Sequence, residues 1–206
     1  MNEMKLEELA RLRDIAEKGR NAPLLGGSYM LIWGAVISLA LLIHWVILMG
    51  YIELPEYFLA INWLVLIGAG WALSLWTGVK QQSNSGTYSF GNQTANNVWA
   101  SAGAFLTILA VSLFAYAAAA DDQGAWTMLS IMAPVSFGSY SIALNATHVA
   151  APGNGLRAFA YISLGFCVVT ALLIGSSLQY LVAAGGMLLS VILPGLKLQR
   201  SVQHSD

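Results

Sequence analysis

The chain is short of charge, cysteine and proline. Only 9% of its 206 residues are Asp, Glu, Lys or Arg, against roughly 25% in a soluble domain. The lone cysteine, Cys167, excludes an internal disulfide and a cysteine metal cluster. A net charge of −1 leaves no basic excess to neutralise phosphates, so no nucleic-acid partner is expected. The long apolar runs contain no Asp, Glu, Lys or Arg. Proton relays, ion-coupled transporters and voltage sensors put such residues inside the membrane. No H-E-x-x-H, no G-x-S-x-G and no membrane-embedded carboxylate pair occurs. The chain is therefore read as not an enzyme, with no cofactor and no metal.

What the chain has is apolar length. Leu24–Met49 runs 26 residues without a charge, where a spanning helix needs about 20. The pattern recurs at 57–79, 98–120 and 125–148. Residues 158–196 form a 39-residue uncharged run. As one straight helix it would measure about 58 Å, twice a hydrocarbon core of about 30 Å. It is read as two spans, 158–175 and 178–196, broken at Gly175-Ser176-Ser177. The expected fold class is an all-α membrane protein: a six-transmembrane-helix bundle of three hairpins spanning 21–198. A head over 1–20 precedes it and a tail over 199–206 follows. The charged head and the long first run do not fit a cleavable signal peptide.

Within the head, residues 3–18 read as a helix with Leu6, Leu9, Leu12 and Ala16 on one stripe. Gly19 and Pro23 are stop signals. Five basic and five acidic side chains balance, unlike the Lys/Arg-rich face of a lipid-binding helix. This leaves a solvated helix, or a contact helix for a cytoplasmic protein partner or a second copy. Residues 81–97, rich in Gln, Asn, Ser and Gly, form the longest expected connection.

The charges orient the bundle. With six spans, all nine Lys and Arg residues fall on one side, and Glu53, Glu56, Asp121 and Asp122 fall on the other. Basic residues concentrate in cytoplasmic segments. Both termini are therefore expected in the cytoplasm, with the chain multi-pass in the inner (plasma) membrane.

The polar groups inside the spans are neutral. Thr127, Ser130, Pro134, Gly138, Ser141, Asn145 and His148 are spaced as one helical face. Pro134 removes a backbone donor and frees a carbonyl. Asn62, Ser101 and Ser190 sit in other spans. Converging faces would make a path for a small neutral or monoanionic solute, lined by Ser130, Pro134, Ser141, Asn145, His148, Asn62, Ser101 and Ser190. Equally, Ser, Thr and Gly let helices approach and hydrogen-bond across a seam. His44 and His148, expected near opposite ends, are candidates for pH sensing, and their separation excludes a bis-histidine haem. Trp33, Trp63 and Trp71 are expected to pack between helices. Gly34-x-x-x-Ser38 echoes Gly103-x-x-x-Thr107, which would suit a hairpin repeat or ordinary membrane packing.

Asn21-Ala22-Pro23-Leu24-Leu25-Gly26 resembles the N-P-A-P-L-G signature of the acetate uptake transporter family. It lacks that motif's first proline and carries an extra leucine. Phe90-Gly91 is a loose second counterpart. The resemblance implies six spans and a small-solute path. Two functions therefore stand: a channel or transporter, or a non-transporting scaffold or regulatory subunit acting through its N-terminal helix and 81–97 loop. In either, the bilayer is a partner and a homo-oligomer is compatible.

Overall fold

The computed structural model describes residues 7–8, 24–55, 57–81, 89–120 and 123–203. Apart from Glu7 and Glu8, the expected head helix lies outside the described residues, as do 82–88 and His204. Every regular element among the described residues is helical. The helices are α1 (Gly27–Leu48), α2 (Tyr57–Gln81), α3 (Phe90–Ala120), α4 (Gln123–Thr127), α5 (Met132–Ala150), α6 (Leu156–Leu172), α7 (Leu178–Met187) and α8 (Leu193–Gln203). A 3₁₀ turn, Met128–Ile131, joins α4 to α5, and a π turn, Leu188–Ile192, joins α7 to α8. Five rods are long and apolar enough to cross a membrane, and α6 is a shorter apolar helix. The chain is a multi-pass, all-α membrane protein.

Two irregular turns have the same cause. Pro134 and Pro194 have no N–H to give the carbonyl four residues back, and their rings crowd it. Before Pro134 the helix tightens into the 3₁₀ turn; before Pro194 it widens into the π turn. Between the last two rods the chain turns at 173–177, where Gly175 takes φ +84°. A side chain there would be strained.

One boundary differs from expectation. α3 begins at Phe90, eight residues before the apolar run at 98. The Ser89 hydroxyl accepts from the Asn92 N–H at 3.3 Å, and Asn92 Nδ2 donates back to it at 3.0 Å. This is N-cap chemistry, which starts a helix without regard to hydropathy. The 81–97 connection is correspondingly shorter.

The packing order is α2, α1, α7–α8, α6, α5, α3, with α2 and α3 at the two ends. The core sits in the middle of this row, where Phe137, Leu144, Leu156, Met187 and Val191 are almost fully enclosed. A bilayer supplies no hydrophobic drive between helices, so close approach and shape must hold them. Gly186 makes room for the rings of Phe137 and Phe166: a Cβ there would stand 2.6 Å from Phe137 Cζ. At the α1–α8 crossing, a Cβ on Gly27 would meet the Gly195 carbonyl oxygen at 2.8 Å. The two halves of the Gly-x-x-x echo are not equivalent. Gly34 is pressed against Ile192, whereas Gly103 faces open space.

Candidate functional site

Polar chemistry gathers at both ends of the bundle. One end carries Arg157 and Lys197, and is called here the basic end. There the chain joins α1 beside the start of α3. The Leu25 N–H donates to Asn92 Oδ1 at 2.9 Å. Leu24 and Ala151 both approach Gly91. Asn92, buried and also tied to Ser89, thus links two segments 67 positions apart. Beside it, Asn154 serves three groups. Its Oδ1 accepts from the Leu156 N–H at 2.9 Å and lies 3.1 Å from His148 Nδ1. Its Nδ2 donates to the Ala151 carbonyl at 2.6 Å. A carbonyl oxygen can only accept, so His148 carries its proton on Nδ1.

The far end is aromatic. Trp63 Nε1–H donates to His44 Nδ1 at 3.0 Å. Tyr180 stacks flat on the same imidazole, with centroids 4.1 Å apart and planes 14° apart. Asn62 Nδ2 donates to the Ala40 carbonyl at 3.0 Å. Gln179, fully enclosed, donates through Nε2 to the carbonyls of Ser130 and Thr170, both at 2.9 Å. Ser130 is the residue four before Pro134, so Gln179 fills the donor position that the proline cannot. Gln179 Oε1 is buried without a hydrogen-bond partner, as are Ser38 Oγ and Ser74 Oγ.

The expected path residues do not converge. Ser130 and Pro134 are buried, Ser141 and His148 half-buried, and Asn145 exposed. Asn145 is therefore turned away from the core. Ser130 donates to its own chain at Thr127, and Ser190 donates to the Gly186 carbonyl at 2.5 Å. Asn62 is committed to α1, and Ser101 is exposed on α3. Ser101 does line a groove of about 450 Å³ between α3 and α5, with Asn97, Phe105, Ser139 and Ile142. His44 and His148 lie at opposite ends. Among the described residues no three His, Cys, Asp or Glu side chains gather as a metal site would require.

Four residues outside the expected set carry the organisation: Asn92, Asn154, Gln179 and Tyr180. For Gln179 a signal existed, because a proline within a span frees a carbonyl and an amide in another span can fill it. Asn92 sits beside Phe90-Gly91, but only the folded chain reveals Leu25 as its partner. Asn154 and Tyr180 gave none. No protein-family model, curated protein or solved structure matches this chain.

Proposed function

We propose that this chain is a non-enzymatic, scaffold-type or regulatory subunit of the inner (plasma) membrane. It presents one cytoplasmic surface, built from residues 1–23 and the connection before α3, to a protein partner. The carrying observation is the Leu25–Asn92 hydrogen bond. The head joins the bundle at Leu24 and the connection joins at Ser89, and Asn92 holds both junctions together. The two least apolar segments of the chain are thereby anchored at one corner. That corner belongs to the basic end, where Lys197 lies against Gly155. Basic residues mark the cytoplasmic side.

Photo-crosslinkers placed at Leu12 and, separately, at Tyr88 test this in living cells. The expected result is the same protein adduct from both positions, with both adducts lost in Asn92→Leu. Two different adducts, or none from either position, overturns the proposal.

The groove between α3 and α5 favours a second reading, in which another copy completes a small-solute path against Ser101 and its neighbours. Proteoliposomes separate the two. The scaffold reading expects no urea, glycerol or acetate flux above empty liposomes. Flux that Ser101→Leu removes would carry the path reading instead.

A further inference from the structure

The far-end histidine has a fixed tautomer. An indole N–H can only donate, so His44 Nδ1 must offer its lone pair to Trp63. The neutral ring therefore carries its proton on Nε2. The ring is also held in place: Tyr180 stacks on one side and Trp63 meets it edge-on at 6.2 Å. Among the described residues no acceptor meets Nε2, and the imidazole is only half-buried. A positioned N–H donor thus opens onto the surface of the bundle.

Its depth narrows what it can meet. His44 lies four residues before Leu48, the end of α1, or about 6 Å along the axis. Trp45, the next residue of α1, pairs with Tyr51 of the turn, ring centroids 5.7 Å apart, and such aromatics favour the headgroup boundary. Inward from that boundary water thins out toward the hydrocarbon, where a donor without an acceptor costs free energy. The surroundings are uncharged: Trp63 and Asn62 on α2, Tyr180 on α7. The nearest acid along the described chain is Glu53, in the turn beyond α1. A neutral acceptor is therefore favoured over an anion.

We propose that His44 Nε2–H binds the carbonyl oxygen of a membrane-dissolved amphiphile at the end of α1, with Trp63 as the positioning residue that fixes the tautomer. Two sources share this chemistry, a lipid ester and a quinone. The site is independent of the surface at the basic end.

The test uses full-length protein, labelled with ¹⁵N-histidine, in nanodiscs. Three lipid conditions are compared: ester-linked phosphatidylcholine, ether-linked phosphatidylcholine, and the ether lipid with ubiquinone. The His44 signal is assigned by its loss in His44→Gln. A lipid ester predicts a downfield Nε2–H signal in ester discs that moves upfield or exchange-broadens in ether discs. A quinone predicts no ester–ether difference and a shift only when ubiquinone is added. A signal indifferent to all three conditions, or a ring protonated on Nδ1, overturns the proposal. In Trp63→Phe the proton should spread over both nitrogens and the ligand-dependent shift should vanish. If that variant keeps the full shift, the positioning role assigned to Trp63 is wrong.

Discussion

Gln179 Nε2 donates to the Ser130 carbonyl across 2.9 Å, and the reason lies at a third residue. Pro134 leaves that carbonyl without its helical donor. The same amide hydrogen-bonds the Thr170 carbonyl, so one side chain joins the α4–α5 break to the last turn of α6. Gln179→Leu should destabilise the protein by about 1–2 kcal/mol, the upper range for a membrane-buried hydrogen bond. The cost should shrink when Pro134→Ala restores the local N–H. A double-mutant cycle in mixed-micelle unfolding measures this coupling, and strict additivity would show that Gln179 acts elsewhere.

Glycines at helix crossings should rank by what a Cβ would strike. Gly27→Ala drives a methyl into the backbone of Gly195 and Gln199, which cannot yield without moving α8. Gly34→Ala meets Ile192 at Cγ1, 2.5 Å away, and at its backbone N, 3.4 Å away, whereas Gly185→Ala meets nothing within 4 Å. Overpacking typically costs about 1–3 kcal/mol. Gly27→Ala and Gly34→Ala should both fall in that range, and Gly185→Ala within about 0.5 kcal/mol of the parent. Unfolding midpoints of the three variants check the order.

The membrane character of the chain was legible because bilayer thickness dictates it. An uncharged run of 20 or more residues has few other physical explanations. Ser89 and Asn92 show where that logic stops. Cap chemistry started α3 among polar residues that hydropathy assigns to a loop. The polar face from Thr127 to His148 is divided within this chain for a different reason. Its spacing assumes one unbroken helix, but the 3₁₀ turn before Pro134 changes the register. Hydroxyls on these helices also need no partner across an axis: Ser130, on that face, donates to the Thr127 carbonyl, and two off it behave alike. Ser139 donates to the Val135 carbonyl at 2.9 Å and Thr147 to Ala143 at 2.7 Å, each four residues back on the same helix. Periodicity shows which residues share a face, not whether that face is turned inward.

Two asparagines should therefore part company. Asn92→Leu removes the acceptor for Leu25 and the side-chain donor to Ser89 while leaving the backbone N–H that the Ser89 cap accepts, at a cost of about 1–2 kcal/mol, as for a buried group left without its hydrogen-bond partner. Asn145→Leu, on an exposed position of α5, should change stability by less than about 0.5 kcal/mol. Melting of both variants in detergent measures the contrast. A large loss at Asn145 would mean that its amide has a partner on another molecule.

Asn154 should matter more than the histidine it meets. Its side chain supplies an acceptor to Leu156, one of the four N–H groups that a helix start leaves unpaired, and a donor to Ala151. Among the described residues, the hydrogen-bond contact of His148 is to Asn154 Oδ1. Asn154→Ala should cost about 1–2 kcal/mol, and His148→Ala less. Asn154→Asp keeps the acceptor at the start of α6 and adds a charge of the sign a helix N-terminus favours, while losing the donor to Ala151. It should recover part of the loss. Hydrogen exchange at the first turn of α6 locates the effect: faster exchange at Leu156 in the alanine variant, slower again in the aspartate variant. If His148→Ala speeds exchange there as much as Asn154→Ala, the imidazole holds Asn154 in place, and the order of importance is reversed.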